Sequence, residues 1–313
     1  MEKVKDYTPS EDKKLEDLLA SYNDIHGFMA GHLATAIEIL SKALPSSQLR
    51  ILTFTGNLVS TGLRGVFTEL IRRKLFNIVI TTTGALDHDI ARAEGGTYLK
   101  GFFEADDARL YEEGYHRLGN IFIPIESYGP KVEGFVRRLL EHLPENKKKW
   151  GIHELLYEAG KQINDRNSFL KAAYEAGALV FVPGWPDGAF GTSLFMEVQR
   201  TGRDLVIDYF IDMKKLSDIF FTSMKGTATA LIIGGGISKH HAIWWSQFRE
   251  GLDYTVYITT ACEYDGSLSG AHPREAISWG KIKPESRKTV VYGDATIIMP
   301  ILATALIKRI GSL

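Results

Sequence analysis

The chain has 313 residues, 44% of them hydrophobic, and a formal net charge of −1, a balance that suits a globular protein with length for a large core. Near-neutral charge without a basic block argues against nucleic acid as the main partner, because phosphate binding needs clustered Lys and Arg. Cys262 is the only cysteine, which excludes an intrachain disulfide framework and a cysteine-based zinc site and fits a reducing compartment.

No apolar run approaches the roughly 18 residues of a membrane helix, and the start Met1-Glu2-Lys3-Val4-Lys5-Asp6 lacks a signal-peptide core. A cytoplasmic location and no membrane partner are therefore expected.

In chain order, residues 1–13 read as a polar arm. Helical periodicity follows through Leu15, Leu18, Leu19 and Tyr22, with a second helix at 37–44. This segment, 1–45, is expected as an N-terminal extension on one α/β domain, 46–313. Short β-branched runs then alternate with longer amphipathic ones, the mark of βαβ units around an open, Rossmann-like parallel sheet with helices on both faces. The strand candidates are 50–55, 77–82, 120–124, 178–183, 229–233, 254–259 and 289–292. The helix candidates are 61–73, 155–159, 168–176, 241–250 and 297–309. The Glu-, Asp-, Arg- and Tyr-rich stretch 102–118 reads as an excursion between strands. Polar loops then gather at the carboxyl edge of the sheet, where open α/β folds bind ligands.

Three strand-to-helix junctions are dense in glycine and hydroxyls: TGNLVSTG at 55–62, TTTG at 81–84, and Gly234-Gly235-Gly236 after an apolar strand. Bare backbone amides at a helix start suit a phosphate, and three such places favour a dinucleotide. Strand-end glycines serve close packing equally well. Asp187 and Asp294 follow strands, where a carboxylate binds ribose hydroxyls or caps the next helix. His240 and His241 are adjacent and point different ways along a helix, with no third ligand in the pattern, so no metal is expected.

The stretch EYDGSLSGAHPREAISWGK at 263–281 places carboxylates, small hydroxyls, glycines and Trp279 ahead of Lys281. A lysine becomes a nucleophile when desolvation or a neighbouring cation lowers its pKa, and Trp279 supplies an apolar wall; Asp265 and Glu275 suit a cationic substrate. The same composition also describes a solvated turn.

Together with GGGISKHH at 234–241, DYTVYITTA at 253–261 and VYGDATIIMP at 291–300, this stretch resembles the deoxyhypusine synthases, and the likeness runs over nearly the whole chain. The resemblance implies NAD-dependent transfer of a 4-aminobutyl group from the polyamine spermidine to a lysine of the hypusine-carrying translation factor. It implies Lys281 as covalent nucleophile and His240 as its catalytic neighbour. The amine would meet Glu275, Trp279, Asp87, His88, Ser267 and Gly266. NAD would meet Asn57, Ser60, Thr82, Thr83, Gly84, Asp187, Gly235, Thr260, Ala261, Asp265, Asp294 and Ala295. A homotetramer with shared sites and a reaching N-terminal arm is implied as well.

At three places the chain departs from the family pattern. Leu268 and Thr192 stand where the family has acids, and Asp87-His88 where it has paired glutamates. Alternatively, then, the chain is a paralogue with the same NAD and imine chemistry on another amine donor or acceptor. A weakened homologue kept as a binding partner is a third reading, against which the intact Lys281 speaks.

Overall fold

The computed structural model describes residues 2–223 and 225–313, so Met1 of the polar arm lies outside the described residues. In chain order the elements are α1 (Leu15–Ile25), α2 (Met29–Ala43), β1 (Leu49–Thr53), α3 (Gly56–Ser60), α4 (Leu63–Arg72), β2 (Ile78–Ile80) and α5 (Thr83–Ala93). Next come β3 (Leu99–Lys100), α6 (Asp107–Glu112), β4 (Tyr115–Leu118), β5 (Ile121–Pro124), α7 (Gly129–His142), β6 (Lys149–Trp150), α8 (Ile152–Gln162), α9 (Phe169–Ala176) and β7 (Leu179–Phe181). The chain continues through α10 (Ala189–Thr201), β8 (Val206–Ile207), α11 (Tyr209–Thr222), β9 (Ala228–Ile233), α12 (Gly236–Ser246), β10 (Leu252–Thr259), α13 (Pro273–Ser278), β11 (Ile282–Tyr292) and α14 (Ala295–Ile310). The expected α/β class with parallel strands and an N-terminal helical region is what the chain forms.

The described residues group into two compact, interleaved units. The first comprises residues 2–53, Arg73–Asn77 and the described residues of Ser217–Leu313; the second comprises Phe54–Arg72 and Ile78–Leu216. In the first, β1 pairs with β9, β9 with β10 and β10 with β11, all parallel. Every residue of β9, Ala-Thr-Ala-Leu-Ile-Ile, is buried, as a central strand covered on both faces requires. Helix α1 begins with the Lys14 amide donating to Asp17 Oδ2 at 2.9 Å, and α1 packs on α2. Helix α2 covers β10 and β11, where His32 Nδ1 lies 2.7 Å from the Val290 carbonyl.

In the second unit β2 and β7 pair in parallel, and α4 packs against α9. Phe54 and Phe67 stack at 4.2 Å, with Phe169 edge-on at 5.4 Å, which fixes that packing through three fully buried rings. The strand expected at 120–124 is not part of the parallel arrangement. As β5 it sits between β3 and β4 in a three-stranded antiparallel sheet, because a two-residue link from β4 permits only a hairpin. Strand β11 starts seven residues earlier than the apolar run at 289–292, since the polar segment Ile282–Lys288 still pairs with β10 through an irregular register.

Candidate active site

In the first unit, β9 runs into Gly234 (φ 76°) and Gly236 (φ 63°), and α12 begins there, five residues before the apolar run that announced it. Left-handed backbone of this kind favours glycine. A Cβ at Gly235 would lie 2.1 Å from Ser269 Oγ, so that glycine also admits the 266–271 loop against the helix start. The expectation of a cofactor loop and that of a packing turn thus meet in one segment. On α12 the four-residue spacing puts Lys239 with Ile243, and His240 with Trp244, on the wall of one pocket.

Further lining comes from α13 and the turn after it. His272 Nδ1 accepts from the Arg274 amide at 3.2 Å and starts the helix, and Gly280 (φ 66°) reverses the chain into β11. Lys281 is pinned between them: its amide donates to the Ala276 carbonyl at 3.0 Å, and its carbonyl accepts from the Leu252 amide at 3.1 Å. The side chain is 8% exposed and turns into a pocket of about 270 Å³ with His240, Trp279, Glu275 and Leu268. Five residues singled out in the sequence are therefore brought together, and the solvated-turn reading of this lysine is excluded by its burial.

The electrostatics of this pocket are cationic. Lys281 Nζ lies 5.0 Å from the Trp279 ring centre and 5.8 Å from that of Trp244. His240 stacks on Trp244 at 5.8 Å and 20°. Burial, and then the charge of Lys281, hold His240 below the usual histidine range. Lys239, which sequence reasoning passed over, is 1% exposed; its Nζ donates to the Ala271 carbonyl at 2.9 Å and sits 4.2 Å from the Tyr257 ring centre. Burial brings Lys239 down to about 8, against a smaller opposing pull from Glu275. The Tyr257 hydroxyl is buried without a hydrogen-bond partner. Glu275 is the only carboxylate among the lining residues.

A lysine with a depressed folded pKa leaves the unfolded state binding more protons between about 8 and 10.5, so its burial penalty is full below pH 8 and absent above pH 10.5. That penalty is on the order of 3 kcal/mol, and a methionine would forfeit the bond to the Ala271 carbonyl. Lys239→Met is therefore expected to stabilise the protein by about 2 kcal/mol at pH 7. Urea unfolding at pH 7 and pH 10.5 checks this; the gain should vanish at the higher pH.

The remaining residues singled out in this unit lie in loops at strand ends. Asp265 Oδ1 accepts from the Ser267 amide at 2.7 Å, and Gly266 (φ 70°) turns the loop that exposes Ser267. The Ala261 amide donates to Thr259 Oγ1 at 3.1 Å, with Thr260 exposed beside it. Asp294 caps α14 through the Thr296 amide at 2.6 Å, leaving Ala295 as the first helical residue.

In the second unit two hydroxyl-rich junctions touch backbone to backbone. The Gly56 amide donates to Thr82 Oγ1 at 3.0 Å, and a Cβ at Gly56 would lie 2.6 Å from the Gly84 carbonyl carbon. Ser60 Oγ donates to the Asn57 carbonyl at 2.6 Å, and Thr83 Oγ1 to the Gly184 carbonyl at 2.7 Å. Asp187 is exposed, and the helix after it is capped by another residue.

That residue is Asp87, expected at an amine. It is 1% exposed, accepts from the Phe190 and Ala189 amides at 2.7 and 2.9 Å and from the Tyr128 hydroxyl at 3.0 Å, and so closes the start of α10. His88 is 6% exposed, bonded to the Tyr98 hydroxyl at 2.7 Å, and held at about 4 by burial and then by the charge of Arg92. Two positions along α5, Asp89 accepts from Ser168 Oγ, the Leu170 amide and Arg64 and closes the start of α9. The acids of α5 thus order neighbouring helices, and Asp87 and His88 each have protein partners. Thr192 is exposed on the first turn of α10.

Sequence reasoning also missed Trp244 and Tyr257; the signal for Trp244 was its place one turn after His240. No group of three or more His, Cys, Asp and Glu among the described residues has the geometry of a metal site, and no described helix is long and apolar enough to cross a membrane.

The deoxyhypusine synthase family model matches residues 17–306. A probable deoxyhypusine synthase of Aeropyrum pernix is 64% identical over 312 residues, covering 99% of this chain and 100% of the relative. One of Sulfurisphaera tokodaii is 53% identical, covering 98% and 97%. The crystal structure of a putative deoxyhypusine synthase from Entamoeba histolytica superposes with a TM-score of 0.66 at 20% identity, covering 99% of both chains, a likeness of fold.

Proposed function

Because this chain belongs to the deoxyhypusine synthase family and is a transferase of that family, we propose that it draws a 4-aminobutyl group from spermidine with NAD and passes it through an imine on Lys281 to one lysine of the hypusine-carrying translation factor. The observation that carries this reading is the buried Lys281, its amine within about 6 Å of two indole rings, in one pocket with His240 and Glu275. In the proposed step the Lys281 nitrogen adds to the carbon of the oxidised substrate's C=N bond. The bond from that carbon to the departing nitrogen breaks, and diaminopropane leaves with the proton that Lys281 gives up. His240, whose pKa is held below the usual histidine range by its burial and then by Lys281, suits the carrying of that proton.

When bound, NAD supplies the acceptor for hydride from the amine-bearing carbon and returns it at the end. Helix α12 begins without a side-chain cap, and a helix start of that kind suits a phosphate. The family resemblance assigns to NAD, within the first unit, Gly235, Thr260, Ala261, Asp265, Asp294 and Ala295; within the second it assigns Asn57, Ser60, Thr82, Thr83, Gly84 and Asp187. A homotetramer with shared sites belongs to the same reading.

Incubation with NAD and radiolabelled spermidine, trapping with borohydride and peptide mapping test the proposal. Label on Lys281, moving to the acceptor factor when it is present, is the expected result; label absent from Lys281 ends it. One observation favours a second reading, a paralogue that uses another amine: Leu268 lines the pocket where the family has an acid, leaving Glu275 alone. NAD binding without spermidine turnover would favour that paralogue. Leu268→Asp is expected to tighten spermidine binding about tenfold, the gain of one charge-assisted hydrogen bond. Equilibrium dialysis checks it, and unchanged affinity would show that this position does not face the amine.

A further inference from the structure

We infer that Trp244 is a specificity-determining residue, and that with Trp279 it forms an aromatic clamp that takes a single alkylammonium or iminium cation together with its methylene chain. This deepens the proposed function and rests on it for the chemistry at Lys281. Three observations carry it.

The two indoles bracket one nitrogen position. Lys281 Nζ lies 5.8 Å from one ring centre and 5.0 Å from the other, inside the roughly 6 Å over which a ring face attracts a cation. A nucleophilic lysine is neutral when it attacks, so the cation that these faces then serve is the substrate's. Once Lys281 is joined to the substrate through a protonated C=N bond, the charge lies at the bracketed nitrogen itself.

Both indoles are open to a ligand, Trp244 at 41% and Trp279 at 63% exposure, although large apolar side chains at a folded surface are usually covered. Trp244 is held in place by His240 stacked on one side and Phe248 edge-on at 6.1 Å. The clamp is built before a ligand arrives.

The pocket's charges suit one ammonium of the proposed polyamine and not several. Glu275 is its one carboxylate, it feels the buried Lys239, and Leu268 offers no hydrogen bond. A second ammonium inside this pocket would meet Lys239 and find no acid of its own. The ligand class is therefore an aliphatic amine that presents one cationic centre to the clamp, with apolar carbon against Leu268 and Ile243.

Tetramethylammonium, a cation that donates no hydrogen bond, is the probe. Its methyl proton line should broaden with the intact protein, spermidine should reverse the broadening, and Trp244→Leu and Trp244→Met should abolish it while Trp244→Phe keeps most of it. In the transfer assay Trp244→Leu should raise the KM for the amine about tenfold, one decade of affinity, with the KM for NAD unchanged and kcat within about threefold. Equal broadening in the leucine and methionine variants, or an unaltered amine KM, overturns the inference. Should the leucine variant lose its thermal transition, the methionine and phenylalanine variants still decide. Failure of the proposed function appears elsewhere, as the absence of transfer by the unaltered protein.

Discussion

Lys281→Ala is expected to lower aminobutyl transfer by at least about a thousandfold while NAD affinity stays within about threefold. The alanine has no nitrogen to form the C=N bond, and nothing else in the pocket replaces it at the same place. Lys239 is the nearest candidate by type, yet its Nζ is committed to the Ala271 carbonyl and the Tyr257 ring. Lys281→Arg is the control for folding, since it keeps a long cationic chain between the indoles and cannot act as an amine nucleophile. Both variants should keep the thermal midpoint within a few degrees, because backbone bonds to Ala276 and Leu252 hold this residue's place in the fold. Borohydride trapping should give no adduct with either. A trapped adduct in the alanine variant would assign the covalent step to another residue.

Glu275→Gln should weaken amine binding by about 10- to 100-fold, the worth of a charge-assisted hydrogen bond, with the loss in KM rather than in NAD affinity. Its size follows from the company Glu275 keeps. Lys239, Lys281, His240 and His272 line the same pocket, so removing this carboxylate leaves only positive or neutral polar groups. Glutamine keeps the volume and one acceptor but offers an ammonium no charge. Because the charge of Glu275 opposes the depression of the Lys239 pKa, the substitution should also move that titration further down. Amine titrations followed by calorimetry at pH 6 and pH 9 read both effects. An unchanged amine affinity would mean that the charge of the donor is met elsewhere.

Much of the candidate site was legible along the chain because its parts are local. Lys281, Trp279 and Glu275 fall within seven residues, and one turn of helix with one left-handed glycine suffices to place them around the same space. His240 was legible through its motif. Trp244 and Lys239 share its helix and were readable only by asking which α12 residues face the lysine, which the helix period suggests but the partner elements decide. The buried strands were legible from their apolar runs, whereas the polar first half of β11 was not, since its pairing comes from β10 and not from its own composition.

Asp87 and His88 have partners that one dimension does not show. A carboxylate next to a histidine in a hydroxyl-rich segment reads as a substrate contact, and the structure spends the carboxylate on amides 102 and 103 residues away. By itself the sequence determined the family and the parallel α/β plan, and it singled out Lys281 as the candidate amine, because each is written in short spacings and runs of residue type. Tertiary structure alone decided which acids tie helices together, how two units interleave along one chain, and that a second indole lines the same pocket as Trp279. Those outcomes depend on hydrogen bonds and ring contacts between segments distant in sequence, for which local periodicity carries no signal.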